Sequence, residues 1–327
     1  MLNIILPTAG RGTRLRPHTH SKPKSLVLVA GKSVLSHVMQ NLSLFKEARY
    51  TFIVDDQGPV IKDYIDTHFG IEANYVEQKE KLGPGHAVWC AKPFVEEGDD
   101  VLVVYNDTLY ISDLSDLRSL ESDGAIFVKK TDDPQRFGIT HLDGGYIKEI
   151  IEKPKEFVGD LAVVGMYYFK DGKAFMDACD KMISEGRQEK GEFYINEAIH
   201  TLIGEGHKLE AREIDVWLDC GQIPSLLETN KYLLSKAPRS EYDFKDTRIV
   251  HPVHIGDDCV ISGSTIGPNA SIASGSRITN SSVNDSIIGF DAIIEGCHLQ
   301  DSVVGDNCCV EKVDGKMNIG DHSRVSG

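Results

Sequence analysis

Gly10, Arg11, Gly12, Thr13 and Arg14 follow directly on the first apolar run of the chain, and Lys24 stands ten residues further on, behind Pro23. Glycine lets a backbone come close to a bound group, and a guanidinium offers a planar fork that matches two phosphate oxygens at once. Thr13 adds a hydroxyl and Lys24 a compact point charge. The formal net charge of the 327 residues is −15, yet no acidic residue occurs before Glu47. Basic groups, glycines and the exclusion of acids in one short stretch are what a polyphosphate ligand demands. Neither the G-x-x-x-x-G-K-[ST] loop nor the dinucleotide G-x-G-x-x-G is present here, so the phosphate would be held in another way.

Further polar positions sit where strand-like runs end. Asp107 follows the apolar residues 101–105, and the carboxyl ends of parallel strands are where open α/β sheets bind ligands. Asp219 lies in V-W-L-D-C-G, residues 216–221. Gln78 precedes L-G-P-G-H-A, residues 82–87, by a few positions, and its amide carries one donor and one acceptor face. Phe137-Gly138, Glu152-Lys153-Pro154 and Gly165 are turn or close-approach candidates that mean little singly.

Taken together, G-R-G-T-R-L-R-P at residues 10–17 with Pro23-Lys24 resembles the signature of the sugar-1-phosphate nucleotidyltransferases, also called nucleotide-sugar pyrophosphorylases. The resemblance runs along the whole chain and is strongest to glucose-1-phosphate thymidylyltransferases and uridylyltransferases that carry a C-terminal left-handed β-helix. It implies that Gly10, Arg11, Gly12 and Thr13 surround a nucleoside triphosphate, with Arg14 and Lys24 as the catalytic cations. Gln78 and Gly83 would read the base. Gly138, Glu152, Lys153 and Gly165 would bind the sugar phosphate. Asp107 and Asp219 would hold Mg²⁺, which favours one or two carboxylates plus substrate phosphates. The implied reaction joins dTTP or UTP to a hexose-1-phosphate, glucose-1-phosphate above all, with release of pyrophosphate. A guanylyltransferase acting on mannose-1-phosphate, a non-catalytic scaffold subunit of the same fold and a bifunctional enzyme with an acyltransferase tail are the competing readings. This chain departs from the usual family pattern at Pro84, Asn106 and Cys220.

Two kinds of patterning must position these residues. Up to about residue 235, strand-sized apolar runs (3–6, 51–54, 101–105, 125–128, 147–151, 163–169) alternate with helical periodicity, as at Val34, Val38, Leu42 and Phe45. This predicts a Rossmann-like α/β domain with a mostly parallel sheet over residues 1–235, with Ser33 as a helix N-cap. A polar linker is expected at 236–248. From 249 to 327 a β-branched residue followed by glycine recurs at 255, 266, 288, 304 and 319, each with another aliphatic six positions on, at 261, 272, 294, 310 and 325. That period predicts a hexapeptide left-handed parallel β-helix of about four coils, each of about 18 residues. Cysteines 259, 308 and 309 are expected to help fill its narrow interior. Its histidines are expected to be structural, and His18 and His20 in the basic loop are expected to be loop filler or a weak phosphate contact.

Composition narrows the classes further. Hydrophobic residues make up 41% and charged residues 26%, as in an ordinary globular protein. The acidic balance speaks against nucleic acid as a partner, and no apolar run approaches the roughly 18 residues of a membrane span. The seven cysteines include no C-x-x-C pair, so neither a disulfide framework nor a zinc site is expected. The amino terminus reads as a buried strand rather than a signal peptide, and the cysteine usage suits a reducing cytosol, so a cytoplasmic protein is expected. The open end of the repeat leads to an expected homo-oligomer.

Overall fold

The computed structural model describes all 327 residues. By compactness the chain forms two units, each assembled from separate stretches: Met1–Gly10 with Val38–Trp217, and Arg11–His37 with Leu218–Gly327.

The first unit is built on a nine-stranded sheet. Its strands are β1 (Leu2–Pro7), β2 (Arg49–Val54), β3 (Ala73–Glu77), β4 (Asp100–Val104), β5 (Gly124–Lys130), β6 (Gly138–Asp143), β7 (Tyr146–Glu152), β8 (Leu161–Phe169) and β9 (Leu209–Glu213). Their spatial order is β3-β2-β1-β4-β8-β5-β9-β7-β6. The sheet is mixed, not mostly parallel. Strands β3, β2, β1 and β4 run parallel, as do β5 and β9. Strand β8 is antiparallel to both of its neighbours, and β7 is antiparallel to β9 and β6. The hairpin between β6 and β7 explains part of the departure. Gly144 and Gly145 have φ of 58° and 89°, and a two-residue loop with both central φ positive matches the strand twist and reverses the chain at once.

Strand interiors are apolar runs because both faces are covered: Ile4, Ile5, Leu6, Phe52 and Ile53 are fully buried. Helices α1 (Val34–Leu42), α2 (Gly58–His68), α3 (Pro84–Trp89), α4 (Gly172–Ser184) and α5 (Ile195–Gly204) connect the strands. The periodicity read at Val34, Val38 and Leu42 is α1, which stops short of Phe45; Ser33 Oγ accepts from the Ser36 amide at 3.0 Å and caps it as expected. In α4 the spacing of Phe175, Met176, Cys179 and Met182 lays one apolar stripe against the core, and Ile195, Ala198, Ile199 and Leu202 of α5 supply the facing stripe.

The second unit holds the basic loop, helix α6 (Ile223–Lys236) and the repeat. The repeat forms three parallel five-stranded sheets, with every third strand in the same sheet, a topology consistent with a β-helix. Successive rungs lie closer in sequence than 18 residues: Val253 pairs with Ala270 and Val303 with Asn318. Single residues in the left-handed region, among them Asp258, Asp285, Asp291 and Asn307, make several corners tight. Ile255, Ile266, Ile288 and Val304, with Ile261, Ile272, Ile294 and Val310, fill the interior. Cys297 and Cys308 lie inside with them; Cys259, in register with Cys308 on the first rung, packs against the interior half-buried, and only Cys309 takes the alternate, outward position. Tyr242 and Phe244, in the stretch expected to be a linker, pack against this interior, and the Tyr242 hydroxyl accepts from the Ile255 amide at 3.1 Å. Asn230 of α6 accepts from the Ala30 amide and donates to the Asn269 carbonyl, which ties helix, loop and repeat together.

Candidate active site

In the first unit, the parallel register of β1 to β4 brings their carboxyl ends to one edge, and three of the expected site residues follow those ends. Gly10 follows β1, where the amides of Thr8 and Ala9 both donate to the Ile53 carbonyl. Gln78 follows β3 directly, its amide donating to Val54 O at 2.8 Å. Asp107 follows β4 and is half-buried. Gly165 joins this edge from β8, where the ladder to β5 slips its register; its carbonyl accepts from the Tyr105 amide at 2.9 Å. With φ of 88° and the Tyr105 ring 2.9 Å from where a Cβ would stand, position 165 admits only glycine.

Gln78 is buried and its orientation is fully determined. Its Nε2 donates to Gly83 O at 3.1 Å and to His86 Nδ1 at 3.1 Å. A carbonyl can only accept, so the atom facing Gly83 must be the amino group. Both of its protons are then used, and Oε1 is the polar atom of the side chain left without a protein partner. Burial holds the His86 pKa below the ordinary histidine value against the opposing charge of Glu80, which keeps Nδ1 an acceptor at neutral pH.

Three of the residues expected to take the sugar phosphate, Gly138, Glu152 and Lys153, come together at the other half of the sheet. Glu152 ends β7 opposite Gly138, the first residue of β6, and a Cβ on Gly138 would lie 3.0 Å from Glu152 Oε2. Asn196 of α5 donates to that same oxygen at 3.2 Å, and Lys153 Nζ reaches Oε1 at 3.2 Å. Lys153 itself has φ of 44° and donates its amide to Phe137 O, so its side chain is turned out of the strand direction. Its ammonium lies 5.8 Å from the centre of the Tyr194 ring. Asn196 carries no motif of its own, and His86, inside the L-G-P-G-H-A segment, had no role readable from the sequence.

The second unit carries Arg11, Gly12, Thr13, Arg14, Lys24 and Asp219. Gly12 turns the loop with φ of 53°, packed between the Thr19 methyl at 2.9 Å and Lys24 Cβ at 3.0 Å from an added Cβ. Thr19 Oγ1 donates to Gly12 O at 2.8 Å, which locks the turn. Arg14 is exposed, and a Cβ added at Gly221 would lie 3.6 Å from its guanidinium and 2.9 Å from Asp219 Oδ1. Asp219 Oδ1 accepts from the Gly221 amide at 2.7 Å, so that one carboxylate oxygen is anchored and Oδ2 has no protein partner. Among the buried polar atoms without any partner are Asn106 Nδ2, Trp217 Nε1 and Ser25 Oγ, each one or two residues from Asp107, Asp219 or Lys24.

His18 is buried and bonded to Asn318 Oδ1 at 2.7 Å, a structural role. No group of three or more His, Cys, Asp or Glu side chains could hold a metal by itself. Mg²⁺ does not require one, since it takes one or two carboxylates and completes its octahedron with water and substrate phosphate. Asp219, half-buried and with one oxygen anchored by the Gly221 amide, suits that demand.

Comparison with known proteins agrees with this chemistry. A family profile described as nucleotidyl transferase matches residues 2–236. A glucose-1-phosphate thymidylyltransferase of Streptomyces antibioticus is 32% identical over 99% of this chain and 99% of its own. A UTP–glucose-1-phosphate uridylyltransferase of Haloferax volcanii is 33% identical over 67% of this chain and 91% of its own, and a bifunctional protein GlmU of Methanocaldococcus jannaschii is 34% identical over 72% and 55%. Among solved structures, a UDP-glucose pyrophosphorylase from Acinetobacter superposes with a TM-score of 0.61 at 21% identity, covering 73% of this chain and 95% of that one, a likeness of fold. No helix is long and apolar enough to cross a membrane.

Proposed function

The chain belongs to the nucleotidyl transferase family and is a sugar-1-phosphate nucleotidyltransferase, and on that premise we propose that it transfers uridylyl or thymidylyl groups to a hexose-1-phosphate, glucose-1-phosphate foremost. The observation that carries the base reading is the fixed Gln78 amide. With Nε2 committed to Gly83 and His86, Oε1 presents an acceptor, and uracil and thymine offer an imide N–H to meet it. Cytosine and adenine present a bare ring nitrogen at the corresponding edge. Guanine carries an N1–H, so guanylyl transfer is the second reading that the same acceptor favours.

In the proposed reaction a phosphate oxygen of the sugar phosphate forms a bond to the α-phosphorus, and the bond from that phosphorus to the bridging oxygen breaks, releasing pyrophosphate. The nucleophile is ionised at neutral pH, so no strong base is needed. The obstacle is repulsion between two polyanions. Arg14 and Lys24 offset it on the triphosphate side and Lys153 on the sugar-phosphate side, while Glu152, Gly138 and Gly165 take the sugar. Gly10, Arg11, Gly12 and Thr13 cradle the triphosphate. Asp107 and Asp219 are the proposed Mg²⁺ ligands, and the ion when bound neutralises phosphate charge. Catalysis of this kind is positioning and electrostatic stabilisation without a covalent intermediate. We read the coil as left-handed and structural. A matrix of five triphosphates (ATP, CTP, GTP, UTP, dTTP) against several hexose-1-phosphates, with pyrophosphate as readout, tests the proposal. UTP or dTTP should turn over fastest, and preference for CTP or ATP would overturn it.

A further inference from the structure

The basic loop is seated on the last two rungs of the coil by groups that the reaction itself does not use. Lys22 Nζ pairs with Asp306 and, at 3.1 Å, with Asp321, while Ser21 Oγ donates to the same Asp321 carboxylate. The two aspartates are themselves held: Asp321 Oδ1 accepts from the Asp306 amide at 2.8 Å, and Asp306 Oδ1 from the Phe290 amide at 3.0 Å. Lys22 is 19% exposed and Asp321 6%, so this is a shielded ion cluster and not a solvent-screened surface pair. A second contact runs beside it, where Pro17 packs on Gly320 and leaves a Cβ there only 3.0 Å.

Both contacts continue into the phosphate-binding turn. Lys22 is separated from Lys24 by Pro23 alone, whose ring fixes the backbone between them. His18, bonded to Asn318, adjoins Thr19, which holds Gly12 by its hydroxyl and methyl. The cavity left between loop and coil, lined by His18, Lys22 and Asp306 among others, has a volume of about 20 Å³, room for one water and for no regulator. Direct contact is therefore what couples the two.

We propose that the coil acts as the seat of the catalytic loop, with Lys22 as a positioning residue whose pairing to Asp306 and Asp321 places Arg14 and Lys24. The inference rests on the nucleotidyl-transfer reading for its kinetic consequence, though not for its structural one. Arg14 is exposed and Lys24 half-buried, so the placing of the loop sets where both cations stand, and a displacement of about 1 Å costs such a site about a hundredfold in rate.

The test uses full-length protein carrying Asp306→Asn with Asp321→Asn, Lys22→Met, Lys22→Arg, and Gly320→Val as a charge-free wedge under Pro17. Hydrogen exchange without substrate reads the amides of Leu15, Leu26 and Val27, which are bonded within the loop. The double variant, Lys22→Met and Gly320→Val should each raise exchange there at least about tenfold and leave the amides of β1 to β4 unchanged. The same variants should lower kcat about 10- to 100-fold, with KM for the sugar phosphate within twofold, and Lys22→Arg should restore both readouts. Wild-type exchange in the double variant, or faster exchange with an unchanged kcat, would overturn the proposal. A wild-type protein that released pyrophosphate from no triphosphate would sink the functional reading instead, and the exchange arm alone would then decide whether the coil holds the loop.

Discussion

Replacing His86 with leucine should relax discrimination between UTP and CTP without abolishing activity. In the wild type, CTP could be accommodated only by turning the Gln78 amide over, because cytosine N3 and Gln78 Oε1 are both acceptors. Turning it would break two hydrogen bonds, to Gly83 O and to His86 Nδ1, both 3.1 Å. At roughly 1 kcal/mol each, with added repulsion between the two carbonyl oxygens, the penalty comes to about 2–3 kcal/mol. That corresponds to roughly 30- to 160-fold in the ratio of kcat/KM values. The His86→Leu variant removes one of the two bonds and keeps the other, so the ratio should fall by about 1 kcal/mol, near fivefold. The assay is pyrophosphate release at limiting UTP and limiting CTP, with sugar phosphate saturating. A ratio unchanged by the substitution, or a wild type that already accepts CTP as well as UTP, would refute the reasoning.

Four other outcomes are expected. Arg14→Ala and Lys24→Ala should each lower kcat on the order of 10²–10³-fold, as for other preorganised electrostatic groups, measured by pyrophosphate release. Lys153→Ala should raise KM for the sugar phosphate and leave KM for the triphosphate unchanged; an unchanged sugar-phosphate KM would remove its assigned role. Chelation should abolish turnover with recovery on adding Mg²⁺, and Asp219→Asn should raise the Mg²⁺ concentration for half-maximal rate, read by metal titration. Stability should fall on mild acidification. Burial depresses the pKa of His18, His37 and His254, outweighing the groups that raise it, so the unfolded chain binds protons that the folded chain does not. Their contribution is full above the ordinary histidine value of about 6.5, declines as pH drops through it, and levels off below the depressed values. A urea midpoint that did not fall between pH 7.5 and pH 5 would contradict this.

Asp321 behaves differently. Burial by itself would raise its pKa, but the Ser21 hydroxyl, the Asp306 amide and the Lys22 charge together bring it below the ordinary carboxylate value. Its contribution therefore persists down to that ordinary value and is lost only as pH falls through the depressed one.

The basic loop, the strands around it and the hexapeptide period could all be read before any coordinates, because each is written in neighbouring residues. Glycine spacing, acid exclusion and a repeat of six are local properties, and a local property survives without knowledge of what packs on it. The mixed sheet was less accessible. The Gly144-Gly145 turn is a hairpin signal in plain view, but the insertion of β8 between β4 and β5 depends on pairings between residues as distant in sequence as Val101 and Phe169. Asn196 and His86 become site residues only because α5 docks beneath Glu152 and α3 folds back on Gln78.

The chain order of residue types thus determined the family, and within it which loop is proposed to take the phosphates. Tertiary structure decided which way the Gln78 amide faces and what the loop of residues 11–37 rests on. The reason is physical: an amide has no orientation until a carbonyl imposes one, and a loop closed by a few short-range hydrogen bonds takes its place in the molecule from what it rests on, here Asp306 and Asp321.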